Sequence, residues 1–211
     1  MRTALRYVVA IVLGLVIGTA VAVRTVRAGA LGSNVAIGPW QTGLDFGTAD
    51  ASAKTRAIVA LRGLLALPAR EARYYTAATD DAGQSLDGRC RYRVSGGTLP
   101  GRWWSLTLYD RDGYLVANPA GRYSVESSTV APVAVGGAGG DARVLAAIFS
   151  SERGWTVSVA PTPMTTRARI NWLPTGAIDR FELTLRTYLP PDGGVGNPPR
   201  SALPSIVKEG C

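Results

Sequence analysis

The sequence predicts a mainly β protein, an antiparallel sandwich or barrel preceded by one apolar helix and one amphipathic helix. Between residues 90 and 185 apolar and polar side chains alternate in four short runs, which is the period of a half-buried strand. Gly, Pro, Asn and Asp cluster between these runs, as they do in the turns of antiparallel sheets. Helical spacing of apolar residues lies before residue 70, near the amino terminus.

An uncharged, apolar run extends from Tyr7 to Val23, with two arginines before it and two after it. A helix of this length rises about 26 Å, which is just enough to cross a thin hydrocarbon core. We therefore predict a membrane anchor over residues 1–27, with its helix at about 7–23. A cleaved signal peptide is the alternative, because Ala20-Val21-Ala22 has the small residues of a cleavage site. Either interpretation sends the rest of the chain across the membrane.

The stretch 28–50 is rich in glycine and small residues, and we interpret it as a linker that docks onto the folded domain over residues 51–211. The domain opens with apolar residues at helical spacing that continue as far as Pro68, which predicts one amphipathic helix. Ser52, or Asp50 before it, is suited to cap that helix, because its side-chain oxygen can accept a hydrogen bond from a free amide of the first turn.

Four runs in the domain carry the alternation that predicts strands. In the first, Tyr92 and Val94 share a face that excludes Arg91 and Arg93. The apolar faces of the other three runs consist of Trp104, Leu106 and Leu108; of Trp155, Val157 and Val159; and of Phe181, Leu183 and Leu185. Turn sequences such as Asp110-Arg111-Asp112-Gly113 separate them. Several short strands with such turns favour a sandwich or a barrel.

The chain contains two cysteines, Cys90 and Cys211. In an oxidising compartment two cysteines favour a disulfide, and two free thiols are the alternative. The bond would close a loop of about 120 residues, for which the chain-entropy model gives an upper figure of about 5 kcal/mol. It would also hold the proline-rich tail across one sheet edge, covering a strand that could otherwise recruit another chain.

Charge and composition exclude several classes of function. The net charge is +8, but four of these charges come from Arg2, Arg6, Arg24 and Arg27, so the chain after residue 27 carries only +4. A charge of this size gives no support for nucleic-acid binding. The chain has no histidine, so no Ser-His or Cys-His nucleophile can form, and two isolated cysteines make no zinc site. The glycine-rich stretch Gly137 to Ala142 has the outline of a dinucleotide turn, but the next predicted strand, Trp155 to Val159, ends in Ala160-Pro161 and not in the acid that would hold a ribose, so we predict no cofactor. We also predict no metal, because the calcium-like turn that begins at Asp110 lacks the closing glutamate.

Four acidic residues are the candidates for a general acid and base: Asp80, Asp81, Asp87 and Glu182. Solvated turn acids are the competing interpretation, since Asp80-Asp81-Ala82-Gly83 is itself typical of a turn.

Aromatic and polar side chains on or beside the strands are the candidates for a binding surface. Trp172 stands in Asn171-Trp172-Leu173-Pro174, where a rigid indole at a strand end can wall a pocket. Asn171, Tyr109 and Arg122 complete the predicted binding set.

A series of short motifs occurs in a characteristic order between Ile58 and Ile206. The motifs include Ala72-Arg73-Tyr74-Tyr75, Leu86-Asp87-Gly88, Trp103 to Asp110, Arg122-Tyr123-Ser124, Asn171 to Pro174 and Phe181 to Pro190. Together they resemble the bacterial family known as domain of unknown function 1214. The resemblance implies a β-sandwich of the jelly-roll type, and it brings no established catalytic residues.

Larger members of this family carry a second domain of unknown function, numbered 1254, ahead of the region found here. In this sequence the anchor and the linker stand at that place. We expect a separately encoded, anchored protein of the 1254 type to cover an apolar surface of the sandwich. A monomer with a repolarised surface is the alternative.

These inferences predict a single-pass protein of the bacterial inner membrane whose carboxyl-terminal domain lies in the periplasm. Its expected role is a non-catalytic binding or assembly module of the cell envelope. The alternative function is a carboxylate-dependent hydrolase acting on an envelope or periplasmic substrate. That function requires two of the four acids to converge in one pocket at about 5–10 Å.

Overall fold

Two β-sheets, two α-helices and two short 3₁₀ helices (Pro191–Gly194 and Arg200–Ala202) lie in the described part of this computed structural model, which comprises residues 2–28, 35–61, 66–133, 154–163, 171–194 and 196–211. The first sheet has six strands in the order β1 (Val35–Ile37), β2 (Trp40–Thr42), β3 (Ala72–Ala77), β10 (Phe181–Tyr188), β5 (Trp103–Asp110) and β6 (Ser124–Glu126). The second has the order β11 (Ser205–Gly210), β4 (Arg91–Gly96), β8 (Gly154–Ala160) and β7 (Pro132–Val133), with β9 (Trp172–Pro174) parallel to β8. The predicted mainly antiparallel sandwich is confirmed.

The central strand of the first sheet is β10, because it pairs in register with β3 on one side and β5 on the other. Leu183, for example, lies between Ala77 of β3 and Leu108 of β5. Alternate residues of β10 face inward, and Phe181, Leu183 and Leu185 are at most 1 % exposed. Each such leucine contributes about 1.5–3 kcal/mol through burial of its apolar surface.

The inner face of the second sheet closes the same hydrophobic core. Val94 of β4 pairs with Val157 of β8 and with Ile206 of β11, and all three are fully buried. Tyr92 meets Phe181 of the opposite sheet edge to face, with ring centroids 5.6 Å apart. The alternation predicted for these runs is thus the alternation between core and surface.

A smaller core lies on the outer face of the first sheet, beneath helix α2 (Ala53–Leu61). Its buried members are Phe46, Ile58, Ala72 and Tyr74. Ser52 caps α2, since its Oγ accepts a hydrogen bond from the backbone N–H of Thr55 at 3.0 Å, as predicted. Residues 62–65 of the segment predicted as helical lie outside the described residues.

The range predicted as a linker contains strands β1 and β2, which form a hairpin around Gly38. Gly38 has a φ of +62°, a left-handed conformation that glycine adopts without strain. Trp40 is fully buried, and its indole Nε1 donates a hydrogen bond to the backbone oxygen of Pro204 at 2.7 Å. This part of the range therefore packs into the domain.

The tail is fastened by the predicted disulfide, which joins Cys90 to Cys211 across 121 residues with a Cα–Cα distance of 3.9 Å. The tail forms β11, which pairs with β4 at the edge of the second sheet, so this prediction is confirmed. Arg73 holds the segment ahead of it: its Nη1 donates to the backbone oxygens of Gly194 and Gly196, both at 2.7 Å.

The amino-terminal helix α1 (Arg2–Ala28) extends beyond the predicted 7–23 at both ends. Its stretch from Thr3 to Val26 has a mean hydropathy of 2.2 and is not buried in the structure. Its length and composition suit a membrane anchor or a signal sequence. Near its end Val26 packs against the smaller core.

Replacing Cys211 by serine should lower the free energy of unfolding by up to about 5 kcal/mol, because the cross-link no longer restricts the unfolded chain. Urea unfolding of the full chain in detergent measures this. A reductant should lower the stability of the wild type and leave the variant unchanged. If the reductant changed neither protein, the stabilising role of the bond would be refuted.

Candidate functional site

Asp80 stabilises the turn that follows β3. Its Oδ1 accepts hydrogen bonds from the backbone N–H groups of Ala82 at 3.0 Å and Gln84 at 2.9 Å, and only 3 % of the residue is exposed. Gly83, with a φ of +77°, completes the turn. The carboxylate is therefore occupied within its own loop, which is the turn chemistry expected of Asp80-Asp81-Ala82-Gly83.

Asp81 connects the same loop to the last strand. Its Oδ2 accepts a hydrogen bond from the backbone N–H of Ile206 at 2.9 Å, and its Oδ1 accepts one from Arg200 Nη2 at 2.5 Å. Arg200 also donates to the backbone oxygen of Leu203 at 2.8 Å. Asp81 thus holds β11 and the residues before it against the β3–β4 loop.

Asp87 is paired with Arg89. The guanidinium donates from Nε to Oδ1 at 3.0 Å and from Nη2 to Oδ2 at 2.7 Å. These hydrogen bonds, helped by one from the Arg89 backbone, lower the pKa of the Asp87 carboxyl to about 2. The group is therefore ionised at neutral pH and is not a proton donor there.

Glu182 lies on β10 opposite Tyr109 of β5, on the outer face of the first sheet. The three aspartates lie instead in the β3–β4 loop. None of the four acids lines the cavity of about 250 Å³ or the cavity of about 420 Å³ described below. The described hydrogen bonds of the aspartates stabilise the fold.

Three of the four residues predicted to bind a ligand come together around β9. Arg122 Nη1 donates to the backbone oxygen of Trp172 at 3.1 Å, and the Trp172 indole N–H donates to the backbone oxygen of Ala160 at 2.9 Å. The side-chain amide of Asn171 bonds to both the N–H and the oxygen of Ala131, at 2.9 and 2.8 Å. These bonds fasten β9 and the chain before β7 along the edge of β8.

Tyr109, the fourth, lies apart from this group on the outer face of the first sheet. Its hydroxyl accepts a hydrogen bond from Arg186 Nη2 at 2.9 Å, and the same guanidinium lies 5.6 Å from the centre of its ring.

A cavity of about 250 Å³ opens at one end of the sandwich. Its wall is a stacked pair of indoles, Trp104 of β5 and Trp155 of β8, with ring centroids 4.4 Å apart and an angle of 30° between the planes. The two residues come from different sheets and are 7 % and 5 % exposed. The β4–β5 loop, with Ser127 and Val130, lines the rest. Loops at the end of a sandwich are a common place for binding sites.

Trp104 supplies this cavity with a hydrogen-bond donor. Its indole N–H has no acceptor among the described residues. The other four indoles each donate to the protein: Trp40 to Pro204, Trp103 to Ser128, Trp155 to Gly97 and Trp172 to Ala160. Solvent reaches this N–H, and a ligand acceptor that replaces the water there would form the hydrogen bond that the protein leaves open.

Arg102 is the ionisable side chain of the described lining, and it stands exposed at the rim. Its backbone N–H donates to the oxygen of Tyr188 at 2.8 Å, whereas its guanidinium has no partner among the described residues. No carboxylate belongs to the described lining. The charge of the described lining is therefore positive, which favours an anion.

Glycine makes room for this arrangement. A Cβ atom at Gly96 would lie 2.9 Å from the ring of Trp155, so only glycine lets the indole approach this closely. Gly97, Gly101 and Gly154 line the cavity without side chains. The sequence predicts a turn at Gly96-Gly97 and a strand that begins at Trp103-Trp104. No local pattern predicts that Trp155 stacks on Trp104.

A second cavity, of about 420 Å³, lies beside the disulfide. Arg89 of its lining pairs with Asp87 at 2.7 Å and Glu209 pairs with Arg93 at 2.8 Å, whereas the Nε of Arg91 is buried without a described partner. No aromatic side chain belongs to the described lining of this cavity. Among the described residues no group of three Cys, Asp or Glu side chains could hold a metal ion. The stretch Gly137 to Ala142 lies outside the described residues. The cavity with the stacked indoles is therefore the candidate site.

Comparison with known proteins relates the chain to a family and a fold. The sequence profile of the family described as "Protein of unknown function (DUF1214)" matches residues 71–192. The crystal structure of the VPA0106 protein from Vibrio parahaemolyticus is similar, at 20 % identity and a TM-score of 0.54 over 92 % of this chain and 43 % of that one. An uncharacterised protein from Burkholderia cenocepacia matches 65 % of this chain and 30 % of its own, at 20 % identity and a TM-score of 0.40. No protein with a curated description matches.

The chain thus spans less than half the length of either solved protein. At this identity the likeness to the Vibrio protein concerns the fold alone, and it agrees with the two packed sheets described above.

Replacing Asp81 by alanine should lower the free energy of unfolding by about 1–2 kcal/mol, because the N–H of Ile206 and Arg200 lose their acceptor. Urea unfolding of the full chain in detergent measures the change. Asp179→Ala is the matched control. The Asp179 side chain is 88 % exposed and makes a long, weak ion pair with Arg89 at 3.9 Å, so its removal should change the free energy of unfolding by no more than about 0.5 kcal/mol. Equal losses in both variants would contradict the structural role of Asp81.

Proposed function

We propose that this chain, which belongs to the DUF1214 family of proteins of unknown function, is a membrane-anchored, non-catalytic binding module of the bacterial cell envelope. The observation that carries the proposal is the cavity beside Trp104 and Trp155. Two donors of its lining, the Trp104 indole and the Arg102 guanidinium, lack acceptors among the described residues. A concave site with an aromatic wall and few polar groups is typical of small-molecule binding.

The proposed location is the inner membrane, crossed once, with the domain as a jelly-roll sandwich in the periplasm. The apolar stretch from Thr3 to Val26 supports an anchor, and the disulfide between Cys90 and Cys211 supports an oxidising compartment. Because Val26 packs against the smaller core, the domain would stay close to the bilayer surface.

A carboxylate-dependent hydrolase remains the alternative, with less support. The carboxylates of Asp80 and Asp81 accept hydrogen bonds that stabilise the β3–β4 loop and β11, and Asp87 is ionised beside Arg89. Catalysis would need a second carboxyl that holds a proton near neutral pH within reach of a substrate.

We also propose a protein partner of the 1254 type, separately encoded and similarly anchored. The surface offered to it would be the connection between β5 and β6. Tyr114, Leu115 and Tyr123 of this connection are 72 %, 49 % and 39 % exposed. Grouped apolar residues on a surface are a common sign of an interaction site.

The membrane anchor predicts that the full chain stays in the membrane pellet after alkaline carbonate extraction and keeps its complete mass of 22.1 kDa. Fractionation and intact-mass spectrometry measure both. A soluble product that begins at Val23 would instead show that the helix is a signal peptide cleaved after Ala22.

The binding module predicts that protein purified from its own membranes carries a small molecule. Val130→Trp should lose it because the larger side chain fills the cavity, whereas Val207→Trp on the exposed face of β11 should keep it. Native mass spectrometry measures the bound species and any 1254-type protein recovered with it. Thermal unfolding checks that both variants are folded. An absence of bound species from wild type and variants alike would contradict the proposal.

A further inference from the structure

The donors of the cavity restrict the chemistry of its ligand. Trp104 is 7 % exposed, and its N–H has no acceptor among the described residues. The one side-chain hydroxyl of the lining with a described bond, Ser127 Oγ, accepts from the backbone N–H of Trp104 at 3.3 Å. The oxygen of Gly97 likewise accepts from Trp155 at 2.8 Å. The side-chain groups of the lining that have no described partner, the Trp104 indole and the Arg102 guanidinium, are donors, so a ligand that brings acceptors suits them.

The shape and charge of the cavity restrict the chemistry of its ligand further. A volume of about 250 Å³ lies just below the usual range for small-molecule sites, which suits a ligand the size of one ring with a substituent. The two indoles supply the aromatic part of the wall, beside which an aromatic or unsaturated body can pack. Arg102 at the rim carries a planar fork of donors that matches the two oxygens of a carboxylate.

We propose that this cavity binds a small, flat carboxylate. Its unsaturated body packs against Trp104 and Trp155, and its carboxylate oxygens accept from the indole N–H of Trp104 and from the guanidinium of Arg102. The inference rests on the proposed binding role of the cavity and names the ligand class for that role.

Three probes of nearly equal shape test the charge: benzoate, neutral benzamide and cationic benzamidine. They are titrated into the full chain in detergent and followed by ligand-observed NMR. We expect benzoate to bind with a Kd on the order of 1 mM, about tenfold tighter than benzamide, with benzamidine weakest. Arg102→Gln should abolish the preference for benzoate and leave benzamide unchanged. Arg111→Gln, in the exposed β5–β6 turn, is its matched control and should retain the preference.

The indole is tested in the same way. Trp104→Phe removes the N–H and part of the flat wall, and it should weaken benzoate and benzamide alike by about fivefold. Trp103→Phe, on the opposite face of the same strand, should change neither. If Trp104→Phe fails to fold, the proposal is judged by the affinities of the three probes for the wild type and for Arg102→Gln.

Equal affinity for benzoate and benzamide in the wild type would overturn the carboxylate assignment and leave the cavity as a binding site. Failure of all three probes to saturate at ten times the expected Kd would overturn the flat-ligand inference altogether. The proposed function would be judged separately, by whether the protein from its own membranes carries a molecule that Val130→Trp loses.

Discussion

The in-register pairing of β10 with both β3 and β5 is the constraint on which the rest of this structure depends. A shift of one residue would turn every inward side chain of β10 to the surface, so the buried leucines hold the register. Tyr188 pairs with Trp103 and Thr187 pairs with Trp104. This register places the inward-facing indole of Trp104 at the end of the first sheet. There it meets Trp155 of the opposite sheet, and the cavity is the space that their stacking leaves beside the loops.

The domain is closed by contacts between its first and last segments. Trp40, in the second strand of the first sheet, donates a hydrogen bond to Pro204 immediately before β11. Asp81 accepts one from the backbone of Ile206, and the disulfide fixes the end of the same strand. These attachments hold an edge strand that has little apolar surface of its own, since most of β11 is exposed. An edge strand held in this way covers β4 and protects it from pairing with other chains.

Much of this fold can be predicted from short stretches of sequence, because the interactions that form its strands, turns and caps involve residues close together in the chain. Alternation identifies the strands around Tyr92, Leu106, Val157 and Leu183, because one face of each must be buried. The cap at Ser52 and the Asp80 turn are short-range hydrogen bonds that the side-chain type itself favours. The disulfide is predicted from the presence of two cysteines together with a leading apolar helix that suits a membrane anchor or a signal sequence.

Local patterns in the sequence were enough to predict the class of the fold, the strands β4, β5, β8 and β10, the turns at Asp80 and Asp110, and the disulfide at the end of the chain. The packing of the whole chain is what makes part of the stretch 28–50 form strands, because β1 and β2 are too short to show a period and their hairpin joins the sheet only where β2 pairs with β3. It also decided that Asp81 accepts from β11 and that Trp104 stacks on Trp155. These contacts join residues distant in sequence, and their geometry depends on strand order and register across two sheets. No local pattern encodes that order, because it results from packing the whole chain around one core.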